Sequence, residues 1–463
     1  MPSLGEGALA ALGDSIPTPG YDRSLLKSGV VHFGVGGFHR AHQAMYHDRL
    51  LNEGKGFEYG ICGVGVMPGD RAMKDALDAQ DGLYTLVVKH ADGTYEPRVI
   101  GSIVEYLFAP DDPEAVIEKL ASETTKIASL TVTEGGYSAG GAVFGYIVDA
   151  LARRRERGQK PFTVMSCDNI QGNGHLTHEV CIEVARERSE DLAAWMEANV
   201  RFPNSMVDRI TPQTTDEDRE EVNQRFGLKD AWPVVCEPFT QWVLEDAFTA
   251  GRPPYEDAGV QVVDDVEPYE LMKLRLLNAS HQALCYFAYL DGYRLVHEAA
   301  QDPLYRTFLR GYMDEEGTPT LAPVPGVELE DYKATLIERF SNPEVRDTVA
   351  RLCAESSDRI PKWLLPVVRH NLETDGEIRR SAAVVASWAR YATGTDENGE
   401  EIEVVDRLKD RLGEAARNGT FLEDREVFGD LADNERFKAA FDEALASLHE
   451  NGARATLEAY QSV

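Results

Sequence analysis

The first half of the chain alternates short apolar runs with segments of helical spacing. GVVHFGVGG, residues 29–37, is an apolar run that ends in glycines. In the FHRAHQAMYHDRLLNEG that follows, Ala41, Met45, Leu50 and Leu51 can share one helix face. EYGICGVGV (58–66), YTLVVKH (84–90) and the run around IGSIVEYLF (100–108) predict further strands. KIASLTVTEGGY (126–137) and FTVMSCDN (162–169) predict a strand followed by a turn or loop. WPVVCEPFTQWVLED and VQVVDDV supply the last strand-like runs. DPEAVIEKLAS predicts a helix capped by Asp112 with Pro113 in its first turn, and THEVCIEVARERS predicts another. Alternating strands and helices predict a largely parallel sheet covered on both faces.

After Pro268 the pattern changes. ELMKLRLLNASHQALCYFAYL, EVRDTVARLCAES, RSAAVVASWARYAT and FKAAFDEALASLHENG all have helical spacing, and strand-like runs almost vanish. A length of 463 residues exceeds what one core usually serves. The acidic, proline-containing VDDVEPYE places a boundary near 265, giving domains 1–265 and 266–463. DEEGTPTLAPVPGVELED, 314–331, predicts an irregular connection. The fold class expected from this pattern is α/β: an N-terminal domain built on a parallel sheet, then a mainly α-helical C-terminal domain.

Charge removes several function classes. There are 79 acidic against 47 basic residues, a net charge of -32, which repels nucleic acid and anionic membranes. No apolar run approaches the ~20 residues that cross a bilayer. MPSLGEGALAALGDS lacks a basic n-region and contains Glu6, so a secretory signal is not expected and a cytoplasmic location is. Cys62, Cys167, Cys181, Cys236, Cys285 and Cys353 form no CxxC pair, and several sit among apolar neighbours, as reduced core thiols do.

The glycines Gly34, Gly36 and Gly37 stand between an apolar strand and a helix. Glycines there let backbone approach a pyrophosphate, and the helix N-terminus points amides at it. His39 replaces the third glycine of GxGxxG, so a plain tight turn is the alternative. As a dinucleotide turn, it would place Gly34, Gly36 and Gly37 with Phe38, His39 and Arg40 at the cofactor. Asp70, beyond the second strand, can accept from ribose hydroxyls and favour NAD, or be a solvated loop acid. Arg71 beside it could tolerate NADP. His39, His42 and His47 can share a helix face, but no carboxylate or thiolate completes a metal set, and none is expected there or at His175 and His178.

One predicted core helix carries polar groups. With Lys273 at zero and ~100° per residue, Glu270 falls near ~60°, His281 near ~80° and Asn278 near ~140°. That arc is a solvated stripe or a site. Its mixture of acid, amine, amide and imidazole suits alcohol oxidation. A lysine whose pKa is lowered can take the hydroxyl proton as hydride leaves carbon. Asparagine amides can donate to the developing carbonyl oxygen. A nearby carboxylate can pass the proton to solvent.

GVGGFHRAHQA, SLTVTEGGY, VMSCDN, FPNSMVDRITP, WPVVCEPFTQWVLED and KLRLLNASH, in that order, resemble the polyol-specific long-chain dehydrogenases, the mannitol dehydrogenase family. The resemblance runs from about residue 20 to 460. It implies a Rossmann-like domain followed by a helical one, NAD or NADP as cofactor, no zinc, and a monomer. The implied reaction interconverts a polyol and a ketose, D-mannitol and D-fructose first, with arabinitol or the hexuronates fructuronate and tagaturonate as alternatives. It implies Lys273 as general base, Asn278 and Asn169 as oxyanion donors, and Glu270 in proton passage. Asp208 would contact substrate and tune the lysine, His281 would hold substrate hydroxyls, and Arg351 would bind substrate. Arg359 stands where mannitol enzymes commonly have lysine. In a hexuronate reductase, Arg351, Arg359 and Lys362 would take the carboxylate.

Two departures touch substrate choice. SAGGAVFGYIVDAL follows TEGGY directly, where a longer insertion is common, and IQGNG follows SCDN in place of LPHNG. The non-enzyme alternative, a silent nucleotide sensor, would replace the lysine or the asparagines; all three are present.

Overall fold

The computed structural model describes residues 1–12, 15–138 and 140–461. Gly13 and Asp14 of the N-terminal stretch, Ala139 of the segment after TEGGY, and Ser462 and Val463 lie outside them. The chain divides into two compact units, Met1–Glu267 and Pro268–Val463, two residues beyond the expected boundary.

The first unit is built on a five-stranded parallel sheet in the order β5-β2-β1-β6-β7. Its strands are β1 (Val30–Phe33), β2 (Ile61–Gly65), β5 (Ile103–Phe108), β6 (Ile127–Leu130) and β7 (Thr163–Ser166). Val30 pairs with Ile61 on one side and Ile127 on the other, and Ile127 with Thr163. β1, β2, β6 and β7 are buried at every position, which is why their sequences are apolar on both faces. Side chains alternate across the sheet. Val31, Phe33, Val64, Leu130 and Val164 pack against the helices Pro113–Ala121, Ala142–Glu156 and Asn173–Arg188. Val30, Ile61, Ile127 and Met165 pack on the other face with Met45, Tyr46, Leu50 and Trp242.

The remaining strands form two smaller mixed sheets, not extensions of the parallel one. β3 (Tyr84–Lys89) lies between antiparallel β4 (Tyr95–Ile100) and parallel β9 (Val234–Cys236). β10 (Gln241–Glu245) lies between antiparallel β8 (Ser205–Asp208) and parallel β11 (Gln261–Val263). Proline explains two of these edges: Pro97 lies within β4, and Pro233 and Pro238 flank β9. The run around 100–108 is thus two strands in different sheets. The chain turns at Gly101–Ser102, where Asp48 Oδ1 accepts from Gly101 N at 3.0 Å and Arg23 Nε donates to Gly101 O at 2.9 Å.

The second unit is helical. Its centre is one run made of Glu267–Met272, a π-helical segment Lys273–Asn278, and Ala279–Leu290. The last of these is buried on nearly every side and packs against Val349–Cys353 and Arg379–Ala392. Arg379–Ala392 in turn packs on the long helix Glu435–Glu458, which kinks at Gly452 (φ 85°). Among the described residues no helix is long and apolar enough to cross a membrane. All six cysteines are buried thiols.

Candidate active site

In the parallel sheet the strand order reverses at β1, whose neighbours are β2 and β6. Ligands of open α/β sheets bind outside the carboxyl ends of strands at such a reversal. The glycine turn occupies that place. Gly34 follows β1 with φ +90°, and a Cβ there would lie 2.0 Å from Thr131 O at the end of β6, so only glycine fits. Gly36 is exposed, and a Cβ at that position would meet nothing closer than 3.9 Å, so its backbone is open to a ligand. It caps the helix Gly37–Ala41.

Phe38 is half-buried, its ring stacked on His42 at 4.9 Å. The next two side chains turn inward. His39 is buried and stacks on His32 with ring centroids 3.5 Å apart. Burial, then the neighbouring His32, hold it well below the usual imidazole range. Arg40 is buried, donates from Nη1 to Trp232 O at 2.5 Å and lies 5.1 Å from the Tyr84 ring centroid. These two side chains build the wall beneath the turn. The helix breaks at His42 (φ -123°, ψ -93°) and restarts as Gln43–Asn52, where one continuous helix was expected.

Asp70 follows β2 in the turn Pro68–Asp70. Its Oδ2 accepts from the amides of Val66 at 2.8 Å and Met67 at 2.9 Å. Arg71 forms an ion pair with Asp111 and lies over the Phe108 ring.

Asn169 is exposed just past the carboxyl end of β7, and Asp208 is buried at the end of β8. Asn173 ties these two segments together. Its Nδ2 donates to Asp168 O at 3.0 Å and Ser205 O at 2.8 Å, and its Oδ1 accepts from Ser205 N at 2.9 Å. Arg209, a sequence-adjacent partner for Asp208, instead donates to Glu237 O and Ala41 O. Sequence reasoning missed Asp168. Its carboxylate accepts from Val132 N (3.1 Å), Thr133 N (2.8 Å) and Tyr137 Oη (2.8 Å). It thereby holds the loop after β6 around Thr133, a β-branched residue at φ 62°. The signal was its place beside Asn169 in SCDN.

His42 and His47 serve separate contacts. His42 Nε2 donates to Gln241 O at 2.9 Å, and His47 Nδ1 to Tyr59 O at 2.9 Å while its Nε2 accepts from Tyr255 Oη at 3.1 Å. Among the described residues no group of three or more His, Cys, Asp or Glu is placed to hold a metal.

In the second unit, Glu270, Lys273, Asn278 and His281 are between 5 % and 8 % exposed, so the polar arc is no solvated stripe. Lys273 and Asn278 are the first and last residues of the π segment. In an i→i+5 turn, residue i+5 stands over residue i much as i+4 does in an α-helix. The pair therefore shares one face, closer than the ~140° of an uninterrupted wheel. Asn278 Oδ1 has no hydrogen-bond partner among the described residues. The His281 ring lies 4.4 Å from that of Phe340.

Arg351 and Arg359 stand together on neighbouring helices. Arg359 Nη1 donates to Arg351 O at 3.1 Å and Leu352 O at 3.2 Å. Gln282, next to His281, donates to the same Leu352 O at 3.2 Å. Arg351 is itself gripped by Asp347, through Nε at 2.6 Å and Nη2 at 2.5 Å. Lys362 is exposed one helical turn beyond Arg359.

Comparison with known proteins agrees with both halves. Residues 28–257 match the mannitol dehydrogenase Rossmann domain, and residues 265–449 the mannitol dehydrogenase C-terminal domain. A mannitol 2-dehydrogenase of Phaeosphaeria nodorum is 46% identical over 475 residues, 96% of this chain and 84% of that protein. The ternary complex of Pseudomonas fluorescens mannitol 2-dehydrogenase with NAD and D-mannitol is 43% identical, covers 99% of both chains and superposes with TM-score 0.91. A substrate-free D-sorbitol dehydrogenase is 36% identical, covers 98% of this chain and 100% of that one, with TM-score 0.90. With a glycine turn at the sheet's reversal and a buried Lys-Asn pair in a helical second unit, the chain belongs to the mannitol dehydrogenase family.

Proposed function

We propose that the protein is an NAD-dependent oxidoreductase interconverting a polyol and a ketose, with D-mannitol and D-fructose as the pair. The observation that carries this is the burial of Glu270, Lys273, Asn278 and His281 along one helical run, in a family whose Pseudomonas fluorescens member was solved with NAD and D-mannitol. The cofactor supplies the hydride acceptor. Lys273 Nζ takes the proton of the reacting hydroxyl as the C–H hydrogen leaves as hydride. The Asn278 amide donates to the oxygen as it becomes a carbonyl, with Asn169 as the second donor. Glu270, three residues before Lys273, passes the proton towards solvent. His281 and Asp208 hold substrate hydroxyls.

The glycine turn takes the pyrophosphate through the backbone of Gly34, Gly36 and Gly37, with Phe38 at the rim; His39 and Arg40 act only by shaping the turn. Asp70 keeps Oδ2 on the Val66 and Met67 amides, which leaves Oδ1 for a ribose hydroxyl. Arg71 is occupied by Asp111. Both favour NAD over NADP.

A neutral polyol is favoured over a hexuronate because Asp347 already neutralises Arg351. Arg359 and Lys362 then bind hydroxyls or lie outside the substrate. Six buried thiols support a reducing, cytoplasmic compartment. Among the described residues the exposed large apolar side chains are Met1, Leu25, Met67 and Val405, scattered singly, which supports a monomer. The test is initial rates for D-mannitol, D-sorbitol, D-arabinitol and fructuronate with NAD and NADP forms. D-mannitol with NAD should give the highest kcat/KM; a preference for fructuronate would overturn the polyol assignment.

A further inference from the structure

The helical run bearing Lys273 and Asn278 leaves α geometry between those residues, and the departure has a partner within the same unit. In an uninterrupted α-helix the amide of Ala279 would donate to Arg275 O. It donates to Leu274 O instead. Arg275 O thus loses the donor that α geometry would give it. The hydroxyl of Tyr312 donates to Arg275 O at 2.9 Å.

Tyr312 opens a second π segment, Tyr312–Gly317, in which the Thr318 amide reaches back to Met313 O. Gly317 closes that segment against the first. A Cβ there would lie 3.0 Å from Leu276 Cδ2 and 3.3 Å from Arg275 O. The second segment is firmly held. Buried Glu316 accepts from the amides of Arg380 at 2.6 Å and Ser381 at 2.8 Å, and Asn371 Nδ2 donates to Glu316 O at 3.0 Å. Tyr312 is fully buried, and that burial, with Glu316 nearby, keeps its hydroxyl protonated as a donor.

We propose that Tyr312 is a positioning residue for the reaction: its hydroxyl holds the π turn that keeps Asn278 on the same helix face as Lys273. The role rests on Lys273 and Asn278 being the reacting pair. Without the hydroxyl, the Ala279 amide returns to Arg275 O and Asn278 swings by about a quarter turn relative to Lys273.

Tyr312→Phe keeps the ring and removes only the donor. In the intact enzyme, kcat for mannitol oxidation should fall roughly 10- to 100-fold with KM for NAD unchanged. The acid limb of the kcat–pH profile should also move, because it reports the base in the substrate complex. A tyrosine that merely supports the fold would lower Tm and the number of active sites, leaving kcat per titrated site and the pH profile as in wild type. That result overturns the proposal. Should Tyr312→Phe not fold, Gly317→Ala presses on the same turn through Leu276 and Arg275 and must show the same two changes; wild-type kcat and pH profile there overturn it equally. Lys273→Ala separates the two levels. Wild-type turnover in that variant removes the parent assignment, whereas its collapse beside an unaffected Tyr312→Phe removes only the positioning role.

Discussion

Arg351 sets the edge of its guanidinium against Asp347, Nε 2.6 Å from Oδ1 and Nη2 2.5 Å from Oδ2. A forked pair of this kind is both strong and directional. It fixes where the arginine points, and it cancels the charge that a substrate carboxylate would need. A change at such a point alters the preference between a neutral and an anionic substrate without any change in the residues proposed to react.

Asp347→Asn tests this. The amide cannot accept at both positions, so Arg351 is released to meet an anionic substrate. The ratio of kcat/KM for fructuronate to that for fructose should rise about fivefold, equivalent to ~1 kcal/mol. An unchanged ratio would place Arg351 away from the substrate.

Asp70→Ala should weaken discrimination between the two dinucleotides. With Asp70 at the ribose, as proposed, its loss removes a hydroxyl acceptor and a repulsion towards a 2′-phosphate. The NAD-to-NADP ratio of kcat/KM should fall about tenfold, ~1.4 kcal/mol. Some loss of stability accompanies it, since Oδ2 also holds the Val66 and Met67 amides. If selectivity is unmoved while Tm drops, Asp70 is only a cap.

Stability should fall in mild acid through His47. Burial lowers its pKa from 6.5 to about 4. Between those values the unfolded chain binds a proton that the folded chain does not, so stability rises with pH across this window. The contribution is present above pH 6.5 and lost as pH falls towards 4, on the order of 3 kcal/mol in all. Urea midpoints measured from pH 4.5 to 7 should show a shallower slope for His47→Gln than for wild type. Equal slopes would show that another group carries the effect.

The sequence and the structure agree best where one physical cause dominates. β1, β2, β6 and β7 are buried on both faces, so their apolar runs announce them. The Gly34 turn was legible because its backbone can be built only without a Cβ. Features that depend on distant partners were not legible. Nothing local says that residues 95–108 serve two sheets, since the switch is set by Asp48 and Arg23 gripping Gly101. The inward turn of His39 and Arg40 needs His32, Tyr84 and Trp232 in place. The helical wheel found the polar arc of Glu270, Lys273, Asn278 and His281 but spread it too widely. A π turn costs no distinctive residue of its own, and the Tyr312 hydroxyl that meets it comes from 37 positions further along the chain. Asp347 and Asp168 escaped notice for the same reason: each acts by orienting another residue.

The most direct test of the whole account is Lys273→Ala, measured as kcat for D-mannitol oxidation alongside NAD affinity. Removing the base should lower kcat by about 10²- to 10⁴-fold while the dissociation constant for NAD stays at the wild-type value. Wild-type turnover at neutral pH in a folded, NAD-binding Lys273→Ala variant would contradict the account.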